Sequence, residues 1–269
     1  MDLEYIKKMW VNEMTVDLEA NRTAWDSVAK DYLYDEKAGL EKDPFLQYIQ
    51  NKIDWTKPVK ILDVGCGAGA YSVALSSRAE KVVGVDFSPA MIQEAGKYVK
   101  QHGIQNVEYL ERDWWNCSGE EFRGKFDFVF AHTTPAIADY GSLVKMMEAS
   151  SRYCALCKPA RRRDEVLDKL REVIGWKKQD ADTSVAYAFG TVWGHGYCPE
   201  LVYHDTVWKS SKSLDEAKDW YLNRLKGAGL KEDKKVEKVC NYLEEISVNG
   251  RVEDTTYTTL VTMFWEVRR

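Results

Sequence analysis

Four short runs of apolar and β-branched residues occur in the first half of the chain, and each is separated from the next by a segment long enough to form a helix. They are Lys60–Val64, Lys81–Asp86, Asn106–Leu110 and Phe126–Phe130. Runs of this length and composition are typical of buried strands. Because parallel strands need a crossover between them, strands that alternate with helices predict a parallel α/β sheet.

Helix signals occupy the segments between these strands. The predicted helices are Ala70–Arg78, Pro89–Gln101 and Gly141–Ser151. Ser88 stands at an N-cap position and Pro89 at the first helical position, which both residue types favour. A fifth strand is expected at Arg152–Leu156, ended by Pro159. The pattern as a whole predicts an open, Rossmann-like doubly wound sheet.

Two regions flank this core. Residues 1–57 show helical spacing and predict an N-terminal helical cap, and residues 160–254 predict an inserted segment of helices and loops. The last segment, 255–269, is rich in Thr, Val and aromatic residues and predicts a final strand, which we expect to be antiparallel in an otherwise mostly parallel sheet. We expect a single domain over 1–269, with residues 58–159 as its ligand-binding core.

Turn and capping signals divide the inserted segment further. The predicted elements are a helix over Asp164–Gly175, a helix over Asp182–Thr191, a strand over Leu201–Lys209 and a helix over Leu214–Lys226. Glycines and a proline cluster over Gly190–Pro199, which predicts a loop or sharp turn there.

Composition limits the classes of function. The chain has 269 residues, of which 45% are hydrophobic and 30% charged, and this excludes a disordered or fibrous protein. A net charge of -5 argues against binding a nucleic-acid backbone by bulk electrostatics. No apolar run approaches the roughly 18 residues that a membrane-spanning helix needs. Since the first residues do not resemble a signal peptide either, we expect a cytoplasmic protein with no membrane or nucleic-acid partner.

The cysteines do not suggest a disulfide framework or a metal site. Six cysteines in a chain of this length are too sparse for a secreted disulfide scaffold. Cys154 and Cys157 form one C-x-x-C pair, but neither a second pair nor a pair of histidines completes a zinc site. We interpret them as core thiols and expect no metal.

The most informative segment follows the first strand and carries glycines at alternate positions, Gly65, Gly67 and Gly69, with Asp63 two residues before the first. Glycines so placed let the backbone turn tightly and approach a ligand closely. A dinucleotide fingerprint would place its third glycine one residue later than Gly69. The pattern Asp-x-Gly-x-Gly-x-Gly instead resembles motif I of the class I S-adenosylmethionine (SAM) dependent methyltransferases.

Asp86 ends the second strand, where a carboxylate can accept hydrogen bonds from both ribose hydroxyls of a nucleoside. NAD and SAM both satisfy that rule. The segment from Val85 to Met91 resembles motif II of the same family, and the resemblance implies that Phe87 lies against the adenine. It also implies that Asp113 accepts from the adenine amino group and that Trp114 supplies a backbone N–H.

The fourth strand and the residues after it resemble motif IV, the strand end that faces the methyl group. The resemblance places Ala131 beside the cofactor and Thr133 and Thr134 beside the acceptor. The Asn- or Asp-Pro-Pro-aromatic motif of base and glutamine N-methylases is not found here. His132 is the candidate catalytic residue, either as a base for a thiol or phenol or as a hydrogen-bonding wall of the site.

Aromatic residues outside the core are further candidates. Trp25, Tyr32 and Tyr71 either present aromatic faces to the sulfonium of SAM or pack in the core. Trp193, His195 and Tyr197 belong to the glycine-rich loop and are expected to bind the acceptor as a lid. The basic run Arg161, Arg162 and Arg163 is either a solvated helix start or a patch that recognises an anion.

A weaker and longer similarity is to small-molecule-type methyltransferases of anaerobic bacteria and archaea. It comprises Trp25, Ala29 and Tyr32, the Thr134–Ile137 segment, and the aromatic residues of the final strand. The resemblances together imply in-line methyl transfer from SAM to a small-molecule acceptor, with S-adenosylhomocysteine (SAH) as product, by a monomer or homodimer. A protein acceptor, a non-catalytic SAM-binding regulator and an NAD-dependent oxidoreductase are the alternatives.

Overall fold

The computed structural model describes residues 2–12, 17–32, 42–177 and 182–267. The strands in this part of the chain form one seven-stranded sheet. They are β1 (Lys60–Val64), β2 (Lys81–Asp86), β3 (Val107–Glu111), β4 (Phe126–His132), β5 (Ser150–Asp164), β6 (Glu200–Ser213) and β7 (Arg251–Glu266). Each of the seven strands predicted from the apolar runs is present, so the α/β class is confirmed.

The strand order is β3-β2-β1-β4-β5-β7-β6. Strands β1 to β5 pair in parallel, whereas β7 runs antiparallel to both β5 and β6. The predicted antiparallel last strand is therefore confirmed. Because β2 and β4 lie on opposite sides of β1, the order reverses there, and sheets of this kind bind ligands outside the carboxyl ends of the strands at that point.

Helices precede, connect and follow the strands. They are α1 (Leu3–Met9), α2 (Leu18–Ser27), α3 (Pro44–Lys52), α4 (Ala70–Ser76), α5 (Pro89–Gln101), α6 (Tyr140–Ala149), α7 (Glu165–Val173), α8 (Asp182–Gly194), α9 (Leu214–Gly227) and α10 (Asp233–Ile246). The helical N-terminal cap is confirmed for the described residues. Helix α10 has no counterpart among the predicted elements, because its N-cap residue Glu232 makes no side-chain capping bond and leaves no capping signal in the sequence.

Successive residues of each strand point to opposite faces of the sheet. Leu62 and Val129 belong to the core on one side, which α1, α6 and α8 cover, and we call this the α6 face. Ile61 and Phe128 belong to the core on the other side, which α3, α4 and α5 cover, and we call this the α3 face. Every residue of the central strands thus has a defined side on which it can reach a ligand.

The prediction that Pro159 ends the fifth strand is wrong, since β5 continues to Asp164. Pro159 pairs with Leu260 of β7, but β4 has already ended, its last paired residue being His132 opposite Cys157. A proline lacks an N–H and is tolerated where one edge of the strand has no neighbour. Beyond it the register shifts after Ala160.

The loop predicted over Gly190–Pro199 is wrong in its first half, because α8 continues through Gly194. Gly190 and Val192 are buried in this helix, and their packing offsets the cost of a glycine in a helix, about 1 kcal/mol. Gly194 lies against Leu3 of α1, where a Cβ would overlap the leucine side chain. The turn is confined to the residues after the helix and includes Gly196 at φ +86°.

Helices α7, α9 and α10 form a second, smaller core with the start of β7. Helix α9 also lies against α2 of the cap: the ring of Trp220 is 5.8 Å from that of Trp25, edge to face. At Gly227 a Cβ would overlap the side chain of Asn21. The inserted segment therefore packs on the N-terminal cap, and the organisation of residues 1–269 as a single domain stays a prediction.

Candidate functional site

The glycine turn between β1 and α4 has three residues with positive φ, Gly65 at +71°, Gly67 at +53° and Gly69 at +84°. Two of the three are glycines for reasons of packing within the protein. A Cβ at Gly65 would overlap the side chain of Thr134, and one at Gly69 would overlap the ring and hydroxyl of Tyr109. The first and third glycines of the motif thus let neighbouring side chains close on the turn.

Gly67 differs from the other two glycines. The nearest side-chain atom to a Cβ at this position is Sδ of Met91, at 3.8 Å, so an added side chain would enter open space. The N–H of Gly67 donates to Oδ2 of Asp86, 2.9 Å away. The bare backbone at Gly67 consequently forms one wall of a cradle next to a carboxylate, and a ligand held there would be excluded by any side chain.

Asp86 stands at the carboxyl end of β2 and accepts backbone hydrogen bonds with both oxygens. Oδ2 accepts from Gly67, and Oδ1 accepts from the N–H of Ser88 at 3.0 Å. Burial raises the pKa of this carboxyl above its ordinary 3.8, although the backbone hydrogen bonds to it act to lower the pKa. Each oxygen retains acceptor capacity, which suits a vicinal diol such as a ribose.

Asp63 lies behind the turn and is 2% exposed. Its Oδ2 accepts from the hydroxyl of Ser72 in α4, 2.7 Å away, and burial raises its pKa to about 7. The carboxyl therefore links the end of β1 to the helix that follows the glycines. We interpret Asp63 as a residue that positions the turn.

The adenine side of the predicted site contains two facing aromatic rings. The ring of Phe87 is 6.0 Å from that of Trp115, tilted by 39°. The buried Nε1 of Trp115 has no hydrogen-bond partner in the part of the chain that the structure describes. Trp115 was absent from the sequence-based candidates, although it directly follows two of them.

The two predicted adenine ligands after β3 have different environments. Asp113 accepts from the backbone N–H of Trp115 at 2.9 Å and from Nδ2 of Asn116 at 2.7 Å, which orders the loop. The side chain of Trp114 is buried on the α6 face, with Nε1 donating to the carbonyl of Ser142 at 3.1 Å. Only the backbone of Trp114 is thus left for the role that the resemblance implies.

His132 ends β4 on the α3 face. Its ring centroid is 4.1 Å from that of Tyr71 and 4.7 Å from that of Phe45. Nδ1 is 3.2 Å from the hydroxyl of Thr133, while the buried Nε2 has no hydrogen-bond partner among the described residues. Burial lowers the pKa of His132 to about 4, so its imidazole is uncharged at neutral pH.

This buried imidazole gives a pH prediction. His132 should not titrate between pH 8 and pH 5, because protonation would place a charge in the core. An NMR titration of protein labelled with 15N in the histidine rings checks this, with H132F assigning the signal. A titration of the His132 ring near pH 6.5 would contradict the burial that the structure shows.

Tyr71 connects the cofactor turn to the cap. Its hydroxyl donates to Oδ2 of Asp43 at 3.0 Å, and Oδ1 of Asp43 accepts from the backbone N–H of Leu46 at the start of α3. Burial, the neighbouring Asp43 carboxylate and the hydrogen bond to it raise the pKa of Tyr71. Tyr71 therefore acts as a neutral donor that ties α4 to the N-terminus of α3.

The predicted aromatic wall at the methionine end lies in the cap. Trp25 belongs to a small cluster with Ala68 of the glycine turn and Met91 of α5, so it packs directly on the turn. Tyr32 is 47% exposed, and its ring is 5.9 Å from that of Trp25. Both residues are near the turn, and their contact with a sulfonium stays a prediction.

The residues after β4 support the turn from the other side. Thr133 has a φ of +48°, and its N–H donates to the carbonyl of Cys157 at 2.9 Å. Thr134 lies against Gly65, and its hydroxyl accepts from the N–H of Ala136. Ala131 is fully buried on the α6 face, so only its backbone is available to a ligand.

The predicted lid residues are placed away from His132. Val192 and Tyr197 pack on the α6 face, and the hydroxyl of Tyr140 is 3.0 Å from Nε2 of His195. Trp193 is 55% exposed. The lid role stays a prediction; acceptor-dependent protection of residues 190–199 in hydrogen exchange would support it, and unchanged exchange would contradict it.

The arginine run and the cysteine pair have structural roles. Arg162 donates to Asp164 at 3.0 Å, and Arg163 lies over the ring of Tyr257. Cys154 and Cys157 are buried on opposite faces of the sheet with pKa values raised to about 12 by burial, which confirms core thiols. Within residues 2–12, 17–32, 42–177 and 182–267, no group of three or more His, Cys, Asp and Glu side chains is placed to hold a metal.

Comparison with known proteins relates part of the chain to a known family. Residues 61–155 match the family model described as "Methyltransferase domain". The magnesium protoporphyrin IX methyltransferase (ChlM) of Synechocystis PCC 6803, solved with bound SAH, superposes on 84% of this chain and 81% of its own with a TM-score of 0.52 at 14% identity. The predicted resemblance to methyltransferases is thereby confirmed over residues 61–155, and the superposition shows a shared fold over most of the chain.

Curated relatives at the sequence level match over short segments. The 23S rRNA (uracil(1939)-C(5))-methyltransferase RlmD of Pseudomonas aeruginosa is 34% identical over 68 residues, 24% of this chain and 15% of that protein. The ubiquinone biosynthesis O-methyltransferase of Histophilus somni is 34% identical over 86 residues, 32% of this chain and 34% of that protein. The chain thus spans well under half the length of either relative. No helix in the described part of the chain has the length and apolar character to cross a membrane.

Proposed function

We propose that the protein is a cytoplasmic SAM-dependent methyltransferase that acts on a small-molecule acceptor and releases SAH. The observation that carries the proposal is the open backbone at Gly67 beside the half-buried carboxylate of Asp86. The other two glycines of the turn are explained by Thr134 and Tyr109. The third has a positive φ and also has open space beside it, and a nucleoside would fit both that space and the acceptor oxygens of Asp86.

The remaining residues divide into two groups around this cradle. Asp86 would accept from the ribose hydroxyls, and the rings of Phe87 and Trp115 would enclose the adenine next to Asp113. Trp25, which packs near Ala68 of the turn, would face the sulfonium end, where an aromatic face favours a cation. When bound, SAM supplies a methyl group already activated for displacement, so the protein mainly provides alignment and a dry pocket.

His132 is the candidate group at the acceptor. It is uncharged at neutral pH and has a buried Nε2 without a partner in the described chain, so it can accept a hydrogen bond from a hydroxyl or thiol and take its proton. Nδ1 of His132 is directed at the hydroxyl of Thr133, and this contact holds the imidazole ring in its orientation. The aromatic contacts with Tyr71 and Phe45 exclude water from the ring.

A small acceptor agrees with the surface charge better than a nucleic acid does. RlmD acts on 23S rRNA by its name, but this chain has a net charge of -5, and Arg162 in its basic run is already paired with Asp164. The ubiquinone biosynthesis enzyme is an O-methyltransferase by its name, and it matches this chain over 86 residues. A net negative charge disfavours binding to a phosphate backbone by bulk electrostatics.

The NAD-dependent alternative has a direct test. We expect purified protein to bind SAM and SAH in calorimetry and to bind NADH at least about 100-fold more weakly, since the third glycine, Gly69, comes one residue earlier than in the dinucleotide fingerprint. Tight NADH binding with no response to SAH would refute the proposal. Binding of SAH without product from any acceptor would favour a non-catalytic regulator.

A further inference from the structure

A cavity of about 220 Å³ opens on the α3 face between α3 and the strands β5, β6 and β7. Its walls include Phe45 and Tyr48 of α3, Val202 of β6, and Leu260 and Thr262 of β7. His132 forms the wall nearest to the glycine turn. Apart from His132, none of the residues named here was a candidate from the sequence, because they come from three elements that are far apart in the chain.

A single aromatic ring, that of Tyr71, lies between the cavity and the proposed cofactor site. Tyr71 follows the glycine turn in α4, and its ring lies 4.1 Å from that of His132. Thr133 and Thr134 connect the same strand end to Gly65. A group placed in the cavity beside His132 therefore lies at the carboxyl end of β4, next to the end of the turn.

The lining determines which charge the cavity accepts. No lysine or arginine lines the cavity, although His204 of β6 does, and its one carboxylate, Asp43, already accepts from the N–H of Leu46 and the hydroxyl of Tyr71. An anionic acceptor would find no lysine or arginine and would meet the charge of Asp43. The aromatic and aliphatic walls favour an uncharged, flat molecule.

The size and polarity of the cavity narrow the class of molecule that it can bind. A water molecule takes about 30 Å³ of liquid, so a cavity of about 220 Å³ has room for one six-membered ring with small substituents. Nε2 of His132, a residue of the cavity wall, is itself almost closed to solvent and lacks a hydrogen-bond partner among the described residues. A hydroxyl on the ring would satisfy it.

We propose that this cavity is the acceptor site and that it takes an uncharged single-ring molecule of the phenol type, with its hydroxyl on Nε2 of His132. The inference rests on the proposed function. In the transfer, an electron pair of the hydroxyl oxygen forms the bond to the methyl carbon. The pair of the broken sulfur–carbon bond stays on sulfur, which loses its positive charge, and the hydroxyl proton leaves to Nε2 and then to solvent.

The test uses probes of matched size on protein saturated with SAH. 4-Methylphenol carries the hydroxyl, toluene lacks it, and benzoate replaces it with a charge. We expect 4-methylphenol to bind at least tenfold more tightly than either of the others in NMR titrations. In H132F the preference for 4-methylphenol over toluene should disappear while toluene binding persists, because only the hydrogen bond is removed.

A filled cavity gives the structural control. V202W places an indole in the cavity from the exposed edge strand and should abolish 4-methylphenol binding, whereas V207W on the same strand, outside the lining, should leave it unchanged. SAH affinity is measured in every variant and should be equal for the two tryptophan variants.

The outcomes separate the two proposals. Failure to bind SAH overturns the proposed function. The acceptor site alone is overturned if SAH binds normally and any one of three results is found. These results are that benzoate binds as tightly as 4-methylphenol, that 4-methylphenol does not bind, or that V202W binds it as well as V207W does.

Discussion

Replacing Gly67 by valine should abolish SAM binding, by more than about 100-fold, because the side chain would occupy the space against which the nucleoside rests. The nearest side-chain atom to the new Cβ is 3.8 Å away, so the protein itself has room for the first added atom. The positive φ of +53° adds strain of about 1–2 kcal/mol for a β-branched residue. Calorimetry with SAM and SAH, together with thermal unfolding, measures both effects.

A matched control separates strain from steric exclusion. Gly103 also has a positive φ, +66°, and a Cβ there meets nothing within 4 Å, but it follows α5 and is remote from the turn. G103V should lose a similar amount of unfolding free energy and keep its SAM affinity. If G67V keeps its affinity in a folded protein, or G103V loses affinity equally, Gly67 does not face the cofactor.

Asp86→Ala should weaken SAM binding by about 1.5–3 kcal/mol, a factor of about 10 to 160, because charged hydrogen bonds to the ribose hydroxyls are lost. The substitution also frees two backbone donors, those of Gly67 and Ser88. Unfolding free energy should therefore be measured with affinity, and Asp86→Asn tests how much of the effect needs the charge.

Asp127 provides the control for a lost carboxylate. It is a carboxylate on β4 that accepts from the backbone N–H of Lys60 at 2.9 Å, at the other end of the strands. D127A should lower stability without changing SAM affinity. Equal affinity of D86A and the unaltered protein would refute the ribose assignment.

Much of the sheet could be predicted because local pattern and burial agree. Lys60–Val64 and Lys81–Asp86 were predicted to the residue, since each is a short apolar run with polar ends. The C-terminal strands were less well bounded: β7 begins at Arg251, earlier than the pattern indicated, because its first half pairs with the exposed strand β6 and has no continuous apolar run. The prediction that Pro159 ends the fifth strand was wrong for a related reason. A proline is tolerated within β5 at this position because the neighbouring strand β4 has already ended.

The residues of the candidate site also fall into those that the sequence predicts and those that only the tertiary fold brings together. The glycine turn and Asp86 are contiguous signals, each fixed by backbone geometry that the sequence reports directly. Trp193, His195 and Tyr197 looked like a mobile loop, but packing on the α6 face extends the helix through their first member. Phe45 and Leu260 came to the site only through the tertiary fold, and no local pattern marks them.

The sequence by itself determined the order of strands and helices, the turn at Gly65 to Gly69 and the carboxylate at the end of β2. These depend on interactions between residues close in the chain and on the alternation of buried positions. Only the tertiary structure decided which glycine has open space beside it and which side chains surround His132. Those depend on contacts such as Thr134 with Gly65 and α3 with β7, between residues far apart in sequence, whose distances no periodicity encodes.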